Sequence, residues 1–70
     1  MISYNPLWNT MKKRGISTYR LIHQYKFSRG TLDSLKQNRN ITLRTLDDLC
    51  SILECRVEDI IEYIPDKTEK

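Results

Sequence analysis

Residues 28–38, "SRGTLDSLKQN", gather into one short stretch the side chains best suited to hydrogen-bonding chemistry. Arg29 carries a planar fork of donors that can pair bidentately with a guanine edge. Thr31 and Ser34 donate and accept at short range, Gly30 leaves bare backbone beside Arg29, and Asp33 is the sole acid of residues 1–44. Asp33 fits two roles, accepting from a cytosine amino group or orienting Arg29 or Lys36 through an ion pair. Catalysis finds no such support. The chain has one histidine, His23, and its carboxylates gather in the second half, so no nucleophile has a neighbouring base to activate it. Two glycines cannot build a phosphate-cradling loop. Cys50 and Cys55 have no further Cys or His at ligand spacing and read as buried, reduced thiols. Neither a metal nor a cofactor is expected.

Net charge is only +3, with a pI near 9.0, but its distribution is lopsided. Residues 1–44 hold nine of the twelve Lys and Arg against Asp33 alone, a net of +8, while residues 45–70 hold eight of the nine acids against three bases, a net of −5. Such a basic half suits a polyanion, with an unpartnered solvated surface as the alternative. Seventy residues, 39% hydrophobic and 30% charged, read as one globular domain over 1–65 with a polar tail at 66–70. No apolar run nears the roughly 18 residues a membrane span needs, and the first residues lack the layout of a signal peptide. A soluble cytoplasmic chain is expected, with no small-molecule ligand.

These side chains need elements to position them, and the pattern predicts an all-α fold of five helices. Asn5 reads as the cap of the first, with Pro6 at its first position, Leu7, Trp8 and Met11 on one face, and Gly15 at its end. Ser17 or Thr18 caps the second, Thr18 to Tyr25, whose inner stripe is Leu21, Ile22 and Tyr25. Lys26 and Phe27 turn the chain, Ser28 caps the third helix, Leu32 and Leu35 anchor it, and Asn38 suits its left-handed end. Thr42 opens the fourth, with Leu43, Leu46, Leu49, Cys50 and Leu53 inward. Val57, Ile60 and Ile61, extending as far as Ile64, form a fifth helix stopped by Pro65. Tyr19, Tyr25 and Trp8, at helical spacing, read as core in preference to an RNA-stacking surface. Ile2 to Tyr4 alternates apolar and polar, which suits either a strand or simple packing.

Two short helices joined by a tight turn make a helix-turn-helix at helices 2 and 3. The outer face of helix 3 is then free to enter a major groove, with Arg29, Gly30, Thr31, Asp33 and Ser34 as candidate base readers. Thr18, Ser28, Lys36, Asn38, Arg39, Asn40 and Arg44 are candidates for phosphates, where short polar groups and cations set register without reading sequence.

The stretches "GISTYRLIHQYKFSRGTLDSLKQN" and "TLDDLCSILECRVEDIIEYIP" resemble the Cro/CI-type helix-turn-helix regulators, and among them the very small bacterial ones. The resemblance runs from about Leu7 to Tyr63 and is more specific in the second stretch, a Leu-Asp-x-Leu-Cys helix followed by a short acidic helix and Tyr-x-Pro. It implies a lambda-repressor-like domain that binds double-stranded DNA, usually as a homodimer on a palindromic operator, and regulates transcription as a repressor or autoregulator. Three positions depart from the family pattern. Ile22 stands where a small residue is usual, Lys26 where the turn has glycine, and Thr18 where many members carry a Gln that bonds a phosphate and braces helix 3. Two-fold symmetry places half-sites about 34 Å apart, and Ile61, Tyr63 and Ile64 are the expected dimer surface. The alternative is a protein-interaction module, such as an antitoxin or an inhibitor of a basic partner.

Overall fold

The computed structural model describes residues 1–65, and the expected tail at 66–70 lies outside them. Four α-helices run α1 (Asn5–Arg14), α2 (Thr18–His23), α3 (Arg29–Lys36) and α4 (Leu43–Leu53), followed by a single 3-10 turn at Val57–Asp59. Two short strands, β1 (Ile2–Ser3) and β2 (Glu62–Tyr63), pair antiparallel with Ile2 opposite Tyr63 and Ser3 opposite Glu62.

Four of the five predicted helices form, and their caps explain where. Ser17, Ser28 and Thr42 each accept a hydrogen bond from the backbone N–H three residues on, at Arg20, Thr31 and Thr45. Asn5 is not a cap: α1 starts one residue earlier than expected, Asn5 is its first residue, and the Ser3 hydroxyl accepts from the Asn5 N–H at 3.1 Å. Gly15 ends α1 at φ 69°, a conformation that costs glycine nothing. Helix α2 stops at His23, short of Tyr25, because Lys26 turns left-handed at φ 64° and the Phe27 N–H bonds back to the Leu21 carbonyl.

One core holds these elements together. Leu7 and Met11 of α1, Leu21 of α2, Leu32 and Leu35 of α3, Leu46, Leu49 and Leu53 of α4, and Tyr4 and Ile60 from the ends are all buried. Fully burying a side chain such as Leu35 or Leu49 contributes about 1.5–3 kcal/mol. Trp8 and Tyr25 pack on this core as expected, whereas Tyr19 is exposed and no part of it. Leu43 is a second correction. As the first residue of α4 it precedes the phase at which the helix meets the core, and 82% of it is exposed. The thiols of Cys50 and Cys55 are free and half-buried.

The fifth helix is replaced by the 3-10 turn and β2. Only Val57–Asp59 winds, held by the Asp59 carboxylate on the Arg56 N–H and by the Thr10 hydroxyl donating to the Asp59 carbonyl. The following residues, Ile60, Ile61, Glu62, Tyr63 and Ile64, are mainly β-branched or aromatic and favour an extended chain. With β1 present as a partner edge they form a ladder, extended by the Ile64 N–H donating to the Met1 carbonyl at 2.8 Å. Ile2 to Tyr4 therefore supplies a strand, and the fold is mostly helical with a two-stranded ribbon closing its ends.

Candidate nucleic-acid interface

Helix α3 is docked by one side and bare on the other. Leu32 and Leu35 are buried because three-residue spacing puts both on one face of the helix, which leaves Arg29, Gly30, Asp33 and Lys36 exposed and Thr31 and Ser34 half-buried at its flank. Two grooves flank this bare ridge. One, of about 300 Å³, separates α2 from α3 and is walled by Thr18, Tyr19 and His23 on the α2 side and by Arg29, Asp33 and Lys36 on the α3 side. The other, of about 350 Å³, lies between α3 and the α4 entrance and takes in Ser28, Gly30, Thr31 and Ser34 with Asn40, Thr42 and Thr45. The five candidate base readers thus sit on one ridge, divided between its two shoulders.

Each local arrangement follows from short-range chemistry. The Ser28 hydroxyl accepts from the Thr31 N–H at 3.0 Å and lies 2.8 Å from the Thr31 hydroxyl, so the cap that starts α3 also ties these two side chains together. Arg29 and Gly30 follow this cap at the exposed start of the helix. A Cβ added to Gly30 meets nothing nearer than the Ser28 hydroxyl oxygen at 4.0 Å. Nothing inside the chain requires glycine there.

Asp33 accepts from the Gln37 side-chain amide at 3.0 Å, one helical turn on. No Lys or Arg lies within ion-pair distance of it among the described residues, so the expected pairing with Arg29 or Lys36 gives way to this amide contact, and both cations stay unpaired on the ridge. Lys36 ends α3, where a cation complements the carbonyl end of the helix.

The candidate phosphate residues divide by what else they do. Asn38 sits left-handed at φ 56° and its side-chain oxygen accepts from the Tyr4 N–H at 3.0 Å, while the Tyr4 hydroxyl donates to the Arg39 carbonyl at 2.6 Å. Asn38 and the Arg39 backbone therefore fasten the end of α3 to the N-terminal strand. The Arg39 side chain and Asn40 remain exposed. Arg44 pairs with Asp48 at 3.7 Å across one turn of α4, with 84% and 49% of the two side chains exposed. A pair this exposed contributes little and yields readily to another anion. Thr18 opens α2 on the wall of the first groove, facing the side that carries Arg29.

Two features of this face were not among the expected site residues. Tyr19 stacks on His23 with ring centroids 4.1 Å apart and planes tilted by 33°, forming an aromatic shelf along the α2 wall. The signal was the helical phase: Tyr19 lies two residues before buried Leu21 and so on the opposite side of α2. Arg20 braces the α2 start, donating to the Gly15 carbonyl and to the Gln24 side chain, each at 3.1 Å. No cluster of three or more metal-ligating side chains occurs among the described residues, and no helix there is long and apolar enough to cross a membrane.

Comparison with known proteins agrees with this geometry. The Cro/C1-type HTH DNA-binding domain family matches residues 6–66. The structure is similar to the crystal structure of transcriptional regulator VanUg, Form II, with a TM-score of 0.82 and 34% sequence identity over 93% of this chain and 87% of that one. No curated protein matches the chain.

Proposed function

Because the chain belongs to the Cro/C1-type helix-turn-helix DNA-binding domain family, we propose that it is a transcriptional regulator that reads duplex DNA in the major groove with α3 and represses by occupying its site. The observation that carries this reading is the α3 ridge itself: an eight-residue helix anchored by two leucines, with Arg29 and Lys36, neither in an ion pair among the described residues, and bare Gly30 exposed between two grooves. The similarity to a solved transcriptional regulator supports the same role.

Arg29 is the principal base reader, pairing with the O6 and N7 of a guanine, a contact worth about 1–3 kcal/mol of discrimination. Gly30 lets the helix start approach the groove floor. Thr31 and Ser34 read from the α4 shoulder, and Asp33, already oriented by Gln37, accepts from a cytosine amino group. Thr18, Ser28, Lys36, Asn38, Arg39, Asn40 and Arg44 neutralise or bond phosphates on either side and set register. A single eight-residue helix touches few base pairs, so two copies on a palindromic operator supply the affinity, with Ile61, Tyr63 and Ile64 contributing apolar surface to their contact.

Selection of bound duplexes from a random pool tests the proposal. The expected product is an inverted repeat with half-site centres about one helical turn apart. Recovery of no preferred duplex at low salt contradicts it and leaves a protein-interaction module as the better reading.

A further inference from the structure

The loop that joins α3 to α4 carries Asn38, Arg39 and Asn40, all three exposed. An exposed loop keeps its shape only where its backbone is fastened. The first part is fastened from α3, by the Asn38 N–H on the Leu35 carbonyl at 3.3 Å and the Arg39 N–H on the Ser34 carbonyl at 2.8 Å. The second part has no such help. From the Arg39 carbonyl to the α4 cap at Thr42, a single hydrogen bond holds this backbone among the described residues, the one that the Tyr4 hydroxyl donates to the Arg39 carbonyl at 2.6 Å.

Tyr4 is built to be a firm anchor. It is only 4% exposed and sits in the core, and its ring lines one hollow together with Asn40 and Ile41 of the loop. Its N–H is fixed separately, on the Asn38 side chain at 3.0 Å. It directly follows β1, which the ribbon ties to β2, so the support for the loop comes from the chain ends and not from the two helices it connects. The Arg39 side chain, by contrast, takes part in no ion pair among the described residues. Arg39 is therefore held at its backbone and open at its tip.

We propose that Tyr4 is a positioning residue for DNA binding, whose hydroxyl holds the peptide between Arg39 and Asn40 so that the Arg39 side chain meets a phosphate. The inference rests on the reading above, in which Arg39 contacts the DNA backbone, and adds to it a buried residue that touches no DNA. A loop ordered in the free chain spares binding the cost of ordering it.

Tyr4→Phe is the test, because it keeps the ring in the core and the N–H on Asn38 and removes the hydroxyl alone. Affinities for the selected and scrambled duplexes, and their salt dependence, are measured for wild type, Tyr4→Phe, Arg39→Ala and the double variant, at a temperature where urea titrations show each to be folded. Tyr4→Phe weakens both duplexes alike by about threefold to tenfold, the span of one hydrogen bond. It also flattens the log-log salt dependence by up to about 0.9, the share of one phosphate. In the Arg39→Ala background the same change costs less than about twofold, since the two residues act as one unit. Equal costs in the two backgrounds, or unchanged affinity in folded Tyr4→Phe, overturn the inference and leave the DNA reading standing. A wild type that binds neither duplex removes the DNA reading and this inference with it.

Discussion

Lys26 holds φ at 64° in the turn between α2 and α3, a conformation that costs a side-chain-bearing residue about 1–2 kcal/mol. Its place in the turn was legible from residue order, whereas the left-handed backbone was signalled only by the family resemblance, which puts glycine there. Lys26→Gly should raise stability by up to about 1 kcal/mol, less whatever the freer unfolded chain takes back, read as a higher urea midpoint. Gly30 is the reverse case, since it is helical and surrounded by open space. Gly30→Ala should stabilise the fold by about 1 kcal/mol and still weaken binding to the selected duplex. Stabilisation with unchanged binding would show that the bare backbone beside Arg29 has no part in recognition.

At the scale of elements, helices with a capping hydroxyl and a regular leucine stripe were readable from residue order alone, because both signals lie within four residues of each other. Ser28 with Leu32 and Leu35, and Thr42 with Leu46, Leu49 and Leu53, are of this kind. What the sequence hid depends on distant partners. Ile60, Ile61 and Ile64 fit a helical stripe and an extended strand alike, and β1, some sixty residues away, decides between them. Leu43 fits the stripe too, but lies before the turn at which α4 meets the core. Asn38 joins two elements, so its two roles can be separated. Asn38→Asp keeps the acceptor for the Tyr4 N–H and tolerates the left-handed backbone, and so should fold normally. The added negative charge should nonetheless weaken duplex binding at low salt, and binding equal to wild type would confine Asn38 to its structural role.

Across the whole molecule, opposite charge is divided between the two halves, and the candidate interface draws entirely on the basic one. That division was visible in the sequence. Which cations stay free was not, since it turns on the Arg44–Asp48 pair and on Gln37 in place of a cation at Asp33. The groups closing the core carry their own pH signature. Burial pushes the Tyr4 phenol above its ordinary 10.0 and the Cys50 and Cys55 thiols above their ordinary 9.0. The folded chain therefore keeps protons that the unfolded chain has already released, and stability falls as pH rises through that range. The contribution should be fully present below about pH 9 and decline above it in urea titrations, with Tyr4→Phe reducing the alkaline loss. A midpoint that rises above pH 9 would run against this sign.

The central claim, that α3 reads base sequence while neighbouring cations hold phosphates, is tested most directly by one ratio. It is the affinity for the selected duplex divided by that for a scrambled duplex of equal length, measured for wild type, Arg29→Ala and Arg39→Ala at one salt concentration. Arg29→Ala should lower the ratio by about tenfold, within the range set by loss of one bidentate base contact. Arg39→Ala should weaken both affinities and leave the ratio near that of wild type. Equal losses on both duplexes in the two variants would contradict the assignment.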